Sequence, residues 1–412
     1  MENNFCIYGA GIVATSIYKA IKTIYGKRPI FFLVSDAAAD KPDENPVEID
    51  GIPVLRLSER KKQINEFAVE QAESKPKSEI MTAGKYLIAA PEVHHTAIVK
   101  SLCALGVCRD DMIPITNGLE NRLMEEYFCL KHSEQGKYGQ GARTVKAVLD
   151  KTFLDKIYSE KKNCDIFFKD DAHIGDAAKK AVSIEIFQAK CHVDKPLTTS
   201  IVMPDYVVPI QVGTAFADKR IAAVQDNVGD NISHKNRNYC ELTASYYAWK
   251  NSKADYKGLC HYRRIFDITE EQMQRLLGLE DKWDVILPYP SIHYPNISTQ
   301  HVRYIGKEDW KAMMQALEEK APEYYAAYQD AVENGEQQFF NFNMLIAKSK
   351  VFDDYCGFIF RVLARTEELT IPKGENRADR FAGYMGENLT TIYFLKNREH
   401  LKILYAGKKW LV

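Results

Sequence analysis

Nowhere in its 412 residues does the chain contain a C-x-x-C pair or a D-x-D triplet, and it has neither a cationic surplus nor a long apolar run. Each absence excludes something. The nine cysteines stand singly, so neither a zinc knuckle nor a dithiol redox centre is signalled. They read as reduced thiols, mostly core fillers, in a cytoplasmic protein. A formal net charge of −1 argues against non-specific nucleic-acid binding, which needs a large positive excess, but leaves room for one local basic pocket. No apolar stretch approaches the roughly 18 residues of a membrane span. The opening MENNFCIYGAG has no basic n-region and no leading apolar stretch, so no signal peptide is indicated.

What is present supports two domains. At 46% hydrophobic and 11% aromatic residues, 412 residues can build two sizeable cores. Strand-like FCIY is followed by a glycine turn and a helix with Val13, Ile17, Ile21 and Ile24 at helical spacing. Further strands are expected near Ile30 to Val34, Tyr86 to Ala90 and Ile113 to Ile115. Helices between strands imply a parallel sheet with right-handed crossovers. The expectation is a Rossmann-like unit over 1–130, a linker and helical segment over 131–182, and a second α/β domain over 183–412.

In the first unit Gly9-Ala10-Gly11-Ile12-Val13-Ala14 fits the G-x-G-x-x-G/A fingerprint after a strand and before a helix. Gly9, Gly11 and Ala14 allow a tight turn, and the helix start then offers N–H groups to a phosphate. Asp36 lies near the spacing at which a carboxylate meets a ribose hydroxyl. A nucleotide or nucleotide-sugar is the expected ligand there. The plainer reading keeps the glycines for the turn alone.

The second domain carries a cationic strand end, GLCHYRRIF, from Gly258 to Phe266. Strand alternation would send Arg263 and Arg264 to opposite faces unless the strand has ended. They suit an anion, or else pair with Asp255 and Asp267. DNVGDNISHKN holds Asp226, Asp230, Asn231, Ser233, Lys235 and Asn236 in a polar loop before a helix running through Tyr239, Leu242, Tyr246 and Trp249. Asn231 and Ser233 would cap that helix on the plainer reading. FFNFNMLIAKS enters a strand through Asn341 and Asn343, which are costly to bury without partners. Tyr384 to Asn388 reads as a turn opening a helix, where Glu387 is also favoured by the helix dipole alone. His293, Tyr294, His301 and Arg303 fall in a long polar connection, and GKKW reads as a frayed end or a basic-aromatic membrane contact.

IYGAGIVATSIYKAI, DGIPVLRLSE and YLIAAPE are similar to the small nucleotide-binding domain that begins sugar acyltransferases of bacterial surface-glycan pathways. VVPIQVG, DNVGDNISHKNRNYCELTASYYAWKN, GLCHYRRIF and FFNFNMLIAKSKVFDDYCGFIF together resemble the bacterial polysaccharide-locus glycosyltransferase family first catalogued as domain of unknown function 4422. That resemblance implies a GT-A-like nucleotide-sugar-binding fold and a hexosyltransferase using a UDP-sugar or related donor. The implied acceptor is a capsule, O-antigen or exopolysaccharide precursor, free or lipid-linked at the inner face of the plasma membrane.

Sugar transfer from such a donor needs charge stabilisation on the departing diphosphate, a base for the acceptor hydroxyl and polar groups that read the sugar. Many GT-A enzymes meet the first need with a metal held by D-x-D. Its absence makes Arg263, Arg264 and His261 the expected diphosphate clamp, with no metal required. Asp226, Asp230, Asn231, Lys235, Asn236 and Asn343 are the expected donor-binding set, and Glu387 the expected base. Two other functions fit the chain: an NAD-dependent modifier of nucleotide sugars, and an inactive sugar-nucleotide-binding scaffold.

Overall fold

A computed structural model describes residues 4–36, 45–72, 84–134, 144–149, 182–198, 201–374 and 377–411. The chain divides into two compact units, Met1–Leu130 with Ser291–Asn296, and Lys131–Pro290 with Ile297–Val412. Both are α/β. Of the expected segment 131–182, only 131–134, 144–149 and 182 are among the described residues.

The first unit runs β1 (Phe5–Tyr8), α1 (Ile12–Tyr25), β2 (Phe32–Val34), β3 (Glu48–Ile49), β4 (Ile52–Arg56), α2 (Leu57–Ala72), β5 (Lys85–Ile88), α3 (His95–Ala104), β6 (Met112–Pro114) and α4 (Asn117–Glu134). Its sheet has the order β3-β4-β2-β1-β5-β6, parallel except for the β3–β4 hairpin. Cys6, Ile7, Phe32, Leu33 and Ile88 are fully buried, as both faces of a parallel sheet require. Strand order reverses between β1 and β5, which makes their carboxyl ends the switch point of the sheet. Gly9 sits there at φ +125°, and a Cβ on it would lie 2.5 Å from the Ala89 carbonyl oxygen. Only glycine permits that approach.

The segment Ser291–Asn296 is bound to α1. Thr15 Oγ1 donates to the Ile292 carbonyl at 2.5 Å, and Ile292 N donates to Ser16 Oγ at 2.9 Å. The expected long polar connection is therefore largely structured: His293, Ile297 and Gln300 are buried.

The second unit holds α5 (Val145–Leu149), β7 (Ile184–Lys190), β8 (Val207–Gln211), β9 (Val224–Gln225), α6 (Asn236–Tyr239), α7 (Leu242–Asn251), β10 (Tyr256–His261), β11 (Arg264–Phe266) and α8 (Glu270–Leu277). After these come β12 (Val285–Pro288), α9 (His301–Tyr304), α10 (Lys307–Lys320), α11 (Pro322–Glu333), β13 (Leu345–Lys348), α12 (Ser349–Leu369), α13 (Phe381–Asn397), β14 (Ile403–Ala406) and β15 (Lys408–Trp410). The sheet order is β14-β12-β13-β10-β7-β8-β9, with β11 pairing both β10 and β15. All neighbours along the main path are parallel except those of β13. The carboxyl ends of β7, β8, β10, β12 and β14 thus share one edge with the start of β13.

Three sequence expectations are corrected here. The helix read through Tyr239 and Trp249 is broken at Cys240, whose φ of 49° and ψ of −124° no helix contains. Tyr384 to Asn388 lies inside α13, not at its start, because Gly383 and Gly386 serve close packing instead of a turn. The GKKW stretch is not frayed: Lys408–Trp410 pairs with β11, and Leu411 N donates to the Arg263 carbonyl at 2.8 Å.

Candidate active site at the carboxyl edge of the second sheet

The cationic stretch is a hairpin. His261 pairs with Arg264 across β10 and β11, leaving Tyr262 and Arg263 as a two-residue turn. Strand alternation therefore does not govern the two arginines. Arg263 is exposed on the turn, while Arg264 is half-buried. The Arg264 guanidinium lies 4.3 Å from the ring centroid of Phe342 and 4.2 Å from that of Trp410. Its Nε is buried with no hydrogen-bond partner among the described residues. Burial, then the neighbouring Arg263, lowers its pKa to about 10, so it stays a cation at neutral pH. A desolvated cation clamped between two rings and short of one acceptor is suited to an incoming anion. Trp410 gave no sequence signal for this role, because its partners lie far away along the chain.

Beside this cation stand two carboxylates. Glu387 Oε1 accepts from Phe342 N at 3.0 Å and Oε2 from Gln300 Nε2 at 3.4 Å. Burial and then the charge of Glu241 push the Glu387 pKa up to about 7. Glu241 Oε1 accepts from Asn343 Nδ2 at 2.8 Å and lies 3.9 Å from His261 Nε2. That His261 nitrogen is 2.6 Å from the Phe342 carbonyl. A carbonyl can only accept, so in the neutral ring the proton sits on Nε2. Burial holds the His261 pKa below its ordinary value, against the pull of Glu241.

Four of the five non-glycine residues with positive φ among the described residues belong to this neighbourhood: Cys240, Phe342, Asn343 and Arg380. Each costs of order 1–3 kcal/mol and persists only where the surroundings impose it. Arg380 Nε donates to Cys240 Sγ at 3.2 Å. Asp194, after β7, accepts from Cys191 N at 2.6 Å. Burial raises its pKa, opposed by Arg263 and Arg380, which identifies it as an acidic neighbour of the cationic turn.

The expected donor-binding residues divide sharply by placement. Asp226 is fully buried and accepts from Gly213 N, Thr214 N, Ser233 Oγ and Thr243 Oγ1 at 2.6–3.1 Å. That arrangement fastens its loop to the end of β8. Asn231 bridges Gly229 O and Ser233 N, and Asn236 Nδ2 donates to Cys240 O and Thr243 Oγ1. Lys235 is ion-paired with Glu367 at 2.6 Å. Asp230 accepts from Tyr246 OH at 3.2 Å on the exposed side. Asn343 is fully buried, donates to Glu241 and Gly383 O, and accepts from Thr390 Oγ1. Asp226 and Asn343 therefore lie beneath the surface of the site and not on it.

In the first unit, Gly9 and Gly11 stand where β1 passes into α1, and the Gly11 helix start has no side-chain cap. Ala14 is buried under that turn, 3.2 Å from where a Gly9 Cβ would stand. Asp36 Oδ1 accepts from Ser58 N at 3.1 Å and Ser58 Oγ at 2.5 Å, so this carboxylate serves the first turn of α2.

The second unit is thus an α/β sheet with a charged, strained cluster at its carboxyl edge, the position at which open α/β sheets bind ligands. Residues 191–398, half of the chain, match the family described as a domain of unknown function (DUF4422), and the chain belongs to that family. Among solved structures it is similar to the apo structure of the WbbM bifunctional glycosyltransferase, at 25% identity and a TM-score of 0.45 over 56% of this chain. The chain spans 45% of that protein's length. No curated protein matches it. Among the described residues no helix is long and apolar enough to cross a membrane.

Proposed function

We propose that the second unit, a GT-A-like domain, is a glycosyltransferase moving a sugar from a nucleoside diphosphate sugar to a surface-glycan precursor. The observation that carries this reading is that Arg264, a half-buried cation whose buried Nε lacks an acceptor, stands near Glu387, a half-buried carboxylate able to exchange a proton near neutral pH. Arg264, with Arg263 at the turn, stabilises the negative charge that grows on the diphosphate as its bond to the anomeric carbon breaks. The acceptor oxygen forms the new bond to that carbon, and Glu387 takes the hydroxyl proton. A direct displacement of this kind inverts the anomeric configuration. His261, neutral and fixed by the Phe342 carbonyl, braces the hairpin that presents the arginines.

Release of nucleoside diphosphate from a panel of nucleotide sugars, with and without bacterial oligosaccharide acceptors, tests the reading. Turnover lost in Arg264→Ala supports it, and a wild-type protein that releases no diphosphate from any donor overturns it. Turnover persisting in excess chelator supports charge neutralisation by arginine. Complete loss restored by manganese refutes that part.

For the first unit we propose a nucleotide or nucleotide-sugar site at the β1–α1 turn, supported by the close approach at Gly9 and its place at the switch point. The engagement of Asp36 by Ser58 weighs against a ribose-reading carboxylate at that position. A thermal-shift screen of nucleotides on wild type and Gly11→Val checks it: a shift seen in the first and absent in the second is expected.

A further inference from the structure

We propose that Glu241 and Glu387 form one proton-holding pair, in which Glu241 does not meet the substrate but positions Glu387 and sets how tightly it holds the proton it receives. The inference rests on the transferase reading for its use in the reaction, not for its existence.

Several independent features of the chain bring these two carboxylates together. On α13, Gly386 immediately precedes Glu387, and a Cβ on it would lie 2.6 Å from Leu242 Cδ1 and 3.0 Å from Asn343 Oδ1. At Gly383, one turn earlier, a Cβ would lie 3.5 Å from Cys240 Sγ. A smooth glycine face thus admits the segment Cys240–Glu241–Leu242 against the helix. Cys240 takes its positive-φ conformation directly before Glu241, breaking the helix where that carboxylate must turn inward. The adjacent left-handed pair Phe342–Asn343 then grips both acids: Phe342 N donates to Glu387, and Asn343 Nδ2 donates to Glu241. Adjacent donors fix the two carboxylates relative to each other.

Nearby cations do not cancel the charge. Arg264, on β11, is stacked between Phe342 and Trp410, and Arg380, at the start of α13, is engaged by Cys240 Sγ. Arg263 is exposed on the turn. Among the described residues neither carboxylate is ion-paired with an arginine. His261, from β10, is held neutral by burial. Next to Gln300, His301 of α9 stacks on Trp310 at 3.7 Å, and burial lowers its pKa to about 4. Two neighbouring acids without a matching cation cannot both ionise cheaply, so the charge of Glu241 adds to burial in making Glu387 hold its proton more tightly.

The test is a carbon-13 NMR titration of labelled glutamate carboxyls, with the Glu387 signal assigned by its absence in Glu387→Gln. Glu241→Gln is expected to lower the Glu387 midpoint by one pH unit or more, a tenfold loss of proton affinity, while Glu241→Asp keeps it near the wild-type value. Should the amide fail to fold, Glu241→Ala gives the same comparison. The acid limb of kcat/KM for donor turnover is expected to move down with the midpoint, because Glu387 must be deprotonated to act. A merely structural Glu241 would lower activity at every pH without moving that limb. An unmoved midpoint in a folded Glu241→Gln protein overturns the pair. A wild type that titrates as expected but turns over no nucleotide sugar removes the transferase reading and leaves the pair standing.

Discussion

The two units bring backbone and ligand edge together by opposite means. At the β1–α1 turn of the first unit, a close strand approach falls on Gly9, where a positive φ carries no steric penalty. At the carboxyl edge of the second sheet, besides Gly213, positive φ falls on Cys240, Phe342, Asn343 and Arg380, which carry side chains there. Those side chains are in use: Asn343 grips Glu241, Phe342 stacks on Arg264, and Arg380 holds Cys240. Glycine appears where only the main chain matters. Strain is kept where a side chain must also be presented from that point.

Substitution can break that contrast, and the largest effect is expected at Glu387. Glu387→Gln should lower sugar transfer by about 10³-fold, within the range of lost general-base catalysis, measured as diphosphate release. The same variant should melt higher than wild type at pH 8 and equally near pH 4. The sign follows from the raised folded pKa, about 7 against an ordinary 4.5. Between these values the unfolded chain gives up the proton first, so wild-type stability falls as pH rises through that window. Glutamine has no proton to lose.

Next come the arginines. Arg264→Ala should lower turnover by about 10²-fold, and Arg264→Lys should not restore it, because an ammonium lacks the flat face that fits between two rings. Arg263→Ala, at an exposed turn, should cost less than about tenfold, and its effect should fade with added salt. A reversed order in donor KM and kcat would place the diphosphate contact on the turn.

Smaller again is Gly9→Val, expected to destabilise the first unit by about 3 kcal/mol, read by calorimetry, since both φ and the Ala89 carbonyl oppose a side chain. Smallest is Cys240→Gly, expected to stabilise the second unit by about 1 kcal/mol while transfer falls. If both glycine-related changes have the same sign, the contrast between the two edges fails.

Much of the architecture was legible from local pattern. The strand Phe5–Tyr8 and the helix Glu270–Leu277 follow from apolar periodicity and turn or cap chemistry; Thr269 and Gln272 form a complete capping box. The cationic stretch and Glu387 were also visible, as chemistry without placement. Placement itself was hidden for physical reasons. The two-residue turn at Tyr262 and Arg263 exists only because β11 has β10 and β15 to pair with. The break at Cys240 has neither glycine nor proline to announce it, so the sequence there reads as one continuous helix. Gly383 and Gly386 announced a turn that does not exist, because glycine also marks the place where a neighbour packs against a helix. Asn343 suggested a ligand contact, but its amide is spent within the protein.

The stacking of Trp410 against Arg264 bears on the order in which the site can form. Strand β11 is synthesised long before β15, and until β15 arrives the guanidinium has one ring beside it and an unpaired strand edge next to it. A nascent chain ending before Trp410 can contain the arginines, both glutamates and the histidine, yet lack the second wall that holds Arg264 in place. The proposed anion clamp is therefore completed late, with the closing strand, and not gradually as each charged residue is added.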